Sequence, residues 1–157
     1  MNIKLLAIGK TDDKNLQTLI ELYQKRLSFY VKFDLEIIPD IKNVKNLSEK
    51  EQKEKEGELI LSKITSTDEL ILLDENGKTF SSVGFSDYMQ KKMNSGIKTL
   101  VFVIGGPYGF SDSVYQKANG KVSLSEMTFS HQMVRLFVVE QIYRAFTILR
   151  NEPYHHQ

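Results

Sequence analysis

The stretch Thr99-Leu-Val-Phe-Val-Ile-Gly-Gly-Pro-Tyr-Gly109 is the most informative part of the sequence for its architecture. Every position from Leu100 to Ile104 is apolar, which is typical of a central strand of a parallel sheet that is covered on both faces. Three glycines within the next five residues exceed what a turn needs. The stretch therefore favours a buried strand with a ligand-binding loop at its end over a plain strand-to-helix turn.

Strand-like and helix-like segments alternate along the rest of the chain, which predicts a three-layer α/β domain with a parallel sheet. The length of 157 residues predicts one domain over residues 1–157. We predict strands at residues 3–8, 33–38, 70–73, 99–104 and 122–124, helices after caps at Thr11, Ser48, Ser111 or Asp112, and Ser130, and a further helix at 85–93.

The composition excludes several classes of site. The chain contains no cysteine, so disulfides, thiolate catalysis and cysteine-based metal sites are excluded, and we predict no metal site. The absence of cysteine and of a long apolar run fits a cytoplasmic protein that does not enter a membrane. Because 21 basic residues nearly balance 20 acidic ones, any nucleic-acid binding must use a local patch. We interpret the charge-dense segment 42–63 as a solvated helix face.

Two further places at predicted strand ends carry candidate functional residues. Asp74 ends the strand at 70–73, and its carboxylate could bind a ribose hydroxyl or belong to an ordinary polar turn, two interpretations that we weigh equally. The C-terminal segment holds all three histidines. The non-functional alternatives are that His131 has a structural role and that the last residues form a frayed tail.

The helix predicted after Ser130 has no side that stays polar along its length. A helix that is apolar nearly all round is normally buried. In a domain this small, burial on both sides predicts that one face of this helix contacts a second copy of the chain. We therefore expect a homodimer.

Several motifs closely resemble the RlmH family, the ribosomal RNA large-subunit pseudouridine methyltransferases of the SPOUT class. The resemblance covers essentially the whole chain. Its motifs are the stretch 99–109, the opening Ile3-Lys-Leu-Leu-Ala-Ile-Gly-Lys10, the Leu73-Asp74 turn, Leu124-Ser-Glu-Met-Thr-Phe-Ser-His131, Glu140-Gln-Ile-Tyr-Arg-Ala-Phe146 and Pro153-Tyr-His-His156.

The resemblance implies an α/β fold with a C-terminal trefoil knot, a homodimer, and S-adenosylmethionine as the cofactor. It further implies methylation of ring nitrogen 3 of a pseudouridine in helix 69 of 23S ribosomal RNA, in the assembled 70S ribosome. By motif matching, the cofactor residues are Leu73, Asp74, Gly105, Gly106, Leu124, Ser125, Glu126, Met127, Thr128 and Phe129. The catalytic candidates are His131, Arg135, Tyr154 and His155, and the RNA-binding candidates are Arg135, Arg144, His155 and His156.

The sequence departs from the family pattern at three positions. Ser130 stands where the family usually has proline, and Glu126 stands where many members have lysine or a small residue. His156 stands where others often carry arginine or lysine, so phosphate attraction at the tail becomes pH-dependent. Two other functions remain open on the residues alone: a nucleotide-binding α/β enzyme that uses the glycine loop, and a ribosome-binding module without catalysis.

Overall fold

Strands and helices alternate along residues 1–156, the part of the chain that this computed structural model describes. Gln157, the last residue of the predicted domain, lies outside the described residues. The elements are β1 (Asn2–Ile8), α1 (Lys14–Leu27), β2 (Phe33–Ile38), a 3-10 turn (Val44–Asn46), α2 (Glu49–Ser62), β3 (Asp68–Thr79), α3 (Ser82–Asn94), β4 (Thr99–Ile104), α4 (Asp112–Lys117), β5 (Gly120–Ser123) and α5 (Met133–Leu149).

The five strands form one parallel sheet in the order β2-β1-β4-β3-β5. β4 lies at the centre, and its residues from Leu100 to Ile104 are buried, as the apolar run at this place predicts. Because all strands are parallel, their carboxyl ends meet at one edge of the sheet. The predicted parallel α/β architecture is confirmed.

Helices cover both faces of the sheet and make three layers. Alternate residues of β1 show the division, since Leu5 packs with α1, α3 and α5 while Leu6 packs with α2 and α4. This alternation follows from the two-residue period of a strand. α5 lies between α1 and α3 and packs against both. Its inner side is buried, whereas Met133 and Phe137 remain 40% and 36% exposed.

Several predicted boundaries are wrong. The helix predicted at 85–93 begins at Ser82, the strand predicted at 122–124 spans Gly120–Ser123, and three further boundaries have an identifiable cause. Asp13, rather than Thr11, caps α1, because its carboxylate accepts from the backbone N–H groups of Asn15 and Leu16. α5 begins at Met133 rather than directly after Ser130, although the Ser130 hydroxyl still accepts from the Met133 N–H.

The third corrected boundary is the end of β3, which continues to Thr79 instead of stopping at Leu73. Leu73 and Lys78 both align with Val122 of β5, so the four residues between them leave the ladder as a bulge. The bulge carries Asp74 away from the sheet and toward the ends of β4 and β5. It is therefore part of what shapes the functional edge.

Candidate functional site

A cleft of about 440 Å³ lies at the carboxyl edge of the sheet, where β3, β4 and β5 end. Its size falls within the range of small-molecule sites. The walls are the bulge within β3, the glycine loop 105–109 and the loop 124–129 that follows β5. The position is the one expected for a ligand in a parallel α/β sheet.

The structure brings together nearly all of the predicted cofactor residues. The loops contribute Leu73, Asp74, Gly105, Gly106, Leu124, Ser125, Met127, Thr128 and Phe129 to the lining of the cleft. Glu126 belongs to the same loop but does not line the cleft, and its side chain is exposed. The lining mixes glycine backbone, apolar side chains and hydroxyl groups, which suits a ligand that carries a nucleoside.

Asp74 is held at the mouth of the cleft by two hydrogen bonds. Its Oδ1 accepts from the backbone N–H of Asn76 at 2.8 Å, and its Oδ2 accepts from the Tyr115 hydroxyl of α4. Burial and this bond to Asp74 raise the pKa of Tyr115 to about 12, so the phenol keeps its proton. The sequence did not indicate Tyr115, because its partner lies 41 residues away.

His131 lies at the edge of the cleft, just before α5. The adjacent Gln132 ties this segment to the loop after β1. The Gln132 side-chain amide accepts from the Asp12 N–H at 2.9 Å and donates to the Lys10 carbonyl at 3.2 Å. The backbone that carries the His131 imidazole is therefore held in place by the hydrogen bonds of the next residue, Gln132.

Arg135 lies in the protein interior, 1% exposed, rather than on the surface where an RNA-binding residue is expected. Its guanidinium donates to the carbonyls of Ile8, Gly9 and His131 and to the Thr11 hydroxyl. These bonds occupy four of the five N–H donors of an arginine. In this chain Arg135 joins the carboxyl end of β1 to α5, and that geometry assigns it a positioning role.

The remaining predicted residues form a second cluster toward the other end of α5. Tyr154 donates to Glu140 Oε1 at 2.9 Å and its hydroxyl lies 3.1 Å from that of Tyr23. Arg144 pairs with Glu140 and lies 3.2 Å from His155 Nδ1. Burial and the hydrogen bonds to Tyr23 and Glu140 raise the pKa of Tyr154, which keeps its phenol protonated.

The predicted catalytic and RNA-binding residues form two groups that are separated along one helix. Arg144 follows Met133 by eleven residues, a rise of about 17 Å at 1.5 Å per residue. Within one chain, His131 stands at the cleft while Arg144, Tyr154 and His155 gather nearer the opposite edge of the sheet. His156 is exposed in the tail.

One functional candidate was missed entirely at the sequence level. Glu56 lies in α2, within the charge-dense segment 42–63 for which the sequence predicts a solvated face, yet its side chain is only 3% exposed. Its carboxyl group lies directly behind Gly106 of the glycine loop. The neighbouring Gly57 was the available signal, because glycine in a helix interior costs stability and often marks a close approach of another element.

Two negative findings apply to residues 1–156. No group of three or more histidine, aspartate or glutamate side chains in this range is arranged to hold a metal ion. Over the same residues, no helix combines the length and the apolar character that crossing a bilayer demands.

Comparison with known proteins finds similar proteins along essentially the whole chain. Residues 1–155 match the family model described as "Predicted SPOUT methyltransferase". A ribosomal RNA large subunit methyltransferase H of Flavobacterium johnsoniae is 83% identical, and one of Flavobacterium psychrophilum is 84% identical. A third, from Christiangramia forsetii, is 66% identical. Each comparison covers all 157 residues of this chain and the full length of the relative.

Proposed function

The chain belongs to the SPOUT methyltransferase family, and from that membership we propose that it is an S-adenosylmethionine-dependent methyltransferase of large-subunit ribosomal RNA. The relatives that carry this name are up to 84% identical over their full length. We further propose that its target is ring nitrogen 3 of a pseudouridine in helix 69 of 23S ribosomal RNA, in the assembled 70S ribosome. Such a substrate places the enzyme in the cytoplasm.

The observation that carries this proposal is the cleft at the carboxyl edge of the sheet. Gly105 and Gly106 leave room for close approach of a ligand to the backbone, and the 124–129 loop adds hydroxyl groups and apolar surface. A site of this kind fits the adenosine and methionine parts of S-adenosylmethionine without a cluster of cationic side chains. When bound, the cofactor supplies a methyl group that its sulfonium centre already activates.

The residues of the chain must therefore align the nucleophile and remove one proton. Alignment requires a distance of about 3–3.5 Å between the reacting atoms. His131 is the proposed proton acceptor, because it is the candidate that lines the cleft. With no cysteine in the chain, the nucleobase cannot be activated through a cysteine adduct, and direct attack on the methyl group is the remaining route.

We propose that the active form is a homodimer in which two chains complete each site. The separation of His131 from Arg144 and His155 within one chain supports this arrangement. The exposed apolar side chains of Met133 and Phe137 lie on the same helix and are available for the contact. A second copy can then supply its Arg144, Tyr154 and His155 to the cleft.

In this proposal the substrate RNA binds a local positively charged patch, because the protein as a whole is not basic. Arg144, His155 and His156 supply the local positive charge, while the formal net charge of +1 gives little attraction to RNA in general. Recognition then depends on the shape of a large particle more than on charge. We therefore expect poor activity on free RNA and full activity on ribosomes.

The decisive experiment is transfer of labelled methyl groups to 70S ribosomes that lack the modification, followed by mapping of the methylated nucleotide. The expected product is N3-methylated pseudouridine in helix 69, with strong loss of activity in His131→Ala and normal activity in the surface variant Leu59→Ala. Ribosome binding without methyl transfer would support a non-catalytic module instead. Calorimetric binding of a nucleoside triphosphate, but not of S-adenosylmethionine, would support a nucleotide-binding enzyme.

A further inference from the structure

A carboxyl group lies directly behind the wall of the cleft and has no role in the function described so far. It belongs to Glu56 of α2, and a Cβ atom built on Gly106 would overlap it, with the Glu56 Cδ atom 2.7 Å away. The carboxyl group thus occupies the space that a side chain at position 106 would take. Gly106 itself lines the cleft, so Glu56 supports the glycine loop from the side opposite the ligand.

The hydrogen bonds of this carboxyl group are incomplete. Its Oε1 accepts from the Gln52 side-chain amide at 3.0 Å, but its buried Oε2 has no partner among the described residues. Glu56 forms no ion pair within residues 1–156, because no lysine or arginine nitrogen lies within 4.0 Å of its carboxyl oxygens. Ionisation of a buried carboxyl group without a counterion is costly, and such a group normally stays neutral.

The charges that face Glu56 come from two other elements. Burial is the main cause that raises its pKa; the hydrogen bond from Gln52 opposes this, Asp40 after β2 adds to it, and His131 before α5 opposes it. Among the described residues, the Asp40 carboxylate opposes a second negative charge here, and His131 favours one. The acid state of Glu56 is therefore linked to the histidine at the cleft.

We propose that Glu56 is a positioning residue of the cofactor site, a neutral carboxylic acid that supports the 105–109 loop in its ligand-binding shape. The inference rests on the proposed function only in the identity of the ligand. Ionised, the carboxyl group would draw water to the space behind Gly106 and displace the loop. Affinity for the cofactor then falls as Glu56 loses its proton.

The test compares three variants of the full chain. Glu56→Gln keeps the shape of the neutral acid and cannot ionise, Glu56→Ala removes the support, and Glu58→Ala is a matched control on the exposed side of the same helix. S-adenosylmethionine binding is measured by calorimetry from about pH 5 to about pH 9, the range in which buried glutamates titrate. Thermal unfolding is recorded for every protein at the same pH values.

The proposal expects that Glu56→Gln binds the cofactor as wild type does at low pH. Glu56→Ala is expected to bind it about tenfold more weakly, a change of 1.4 kcal/mol. As the pH rises, wild-type affinity and unfolding temperature should fall relative to those of Glu56→Gln, because only wild type acquires the buried charge. Glu58→Ala should follow wild type throughout.

Two results would overturn the proposal. Equal losses in Glu56→Gln and Glu56→Ala would show that the ionised carboxylate is required, and a wild-type affinity that rises relative to that of Glu56→Gln with increasing pH would show that the charged form supports the loop. Wild type that binds no S-adenosylmethionine at any pH would instead contradict the proposed function. In that case the unfolding profiles would still decide whether Glu56 is a neutral support, and they also serve if Glu56→Ala fails to fold.

Discussion

Arg135 shows that a residue's place in a motif does not fix its role. The family resemblance assigns it a role at the RNA surface, yet its guanidinium is buried and bonded to three carbonyls. Two of these carbonyls belong to Ile8 and Gly9, more than 120 positions away in the sequence. The sequence around an arginine does not show whether the guanidinium binds phosphates or backbone carbonyls from a distant part of the chain. No local pattern therefore separates these two roles.

Replacement of this arginine by lysine tests the positioning role. Lysine keeps the charge but cannot reach all four acceptors with a fork of fixed geometry. We expect Arg135→Lys to lower the free energy of unfolding by about 3 kcal/mol, measured by urea denaturation. Arg150→Lys, at an exposed position, is the control. Normal stability with a selective loss of activity on ribosomes would return Arg135 to the RNA-binding group.

The strands and helices were largely predictable from the sequence, because their signals are local. The capping box of α2 is present as predicted, with Ser48 accepting from the Glu51 N–H and the Glu51 carboxylate accepting from the Ser48 N–H. The extension of β3 to Thr79 was not predictable. Residues 74–79 are polar and contain a turn signal, and only their pairing with β5 makes them part of a strand.

A similar non-local contact joins three elements at Glu36. Its carboxylate pairs with Lys4 of β1 at 3.1 Å and with Lys63 at the end of α2 at 2.8 Å. The hydrogen bond from Lys63, with further help from Lys4, lowers the pKa of Glu36 below the usual 4.5. A lowered carboxyl pKa stabilises the fold above the unfolded-state pKa, and this contribution is lost as the pH falls.

Glu36→Gln should therefore destabilise the protein in a pH-dependent way. We expect a loss of about 1 kcal/mol near neutral pH, a modest value because both partners are partly exposed to solvent. The difference from wild type should disappear as the pH falls below 4.5, which urea denaturation at several pH values can measure. Asp34→Asn, at an exposed position on the same face of the same strand, should leave the profile unchanged. A constant difference at all pH values would mean that packing, not charge, explains the effect.

At the scale of the whole molecule, the loops that motif matching assigns to the cofactor line one cleft, and in the proposed dimer a second copy completes the site. The cofactor loops share one edge of the sheet, and that much follows from parallel topology. The distance between His131 and the Tyr154 cluster depends instead on the length and direction of α5. No sequence pattern within one chain shows which residues a second copy would bring together.

The proposed dimer can be tested through the exposed apolar side chain of Met133. Sedimentation equilibrium should give about twice 18.1 kDa for wild type. Met133→Asp should give the monomer mass, because a buried unpaired charge at the contact is costly. Leu59→Asp changes an equally exposed apolar residue on the opposite face of the sheet and should remain dimeric. A monomeric wild type at micromolar concentration would contradict the dimer.

The bonds that fix the cleft side of α5 also determine when the site can appear during folding. Gln132 and Arg135 reach the loop after β1 across sequence separations of 120 to 127 residues. Contacts this distant close large loops and form late, after elements that need only near neighbours. The segment that carries His131 can therefore join the cleft only after a loop that spans most of the chain has closed. A ligand that needs the finished cleft stabilises the fully folded chain alone, and its binding distinguishes complete from incomplete molecules.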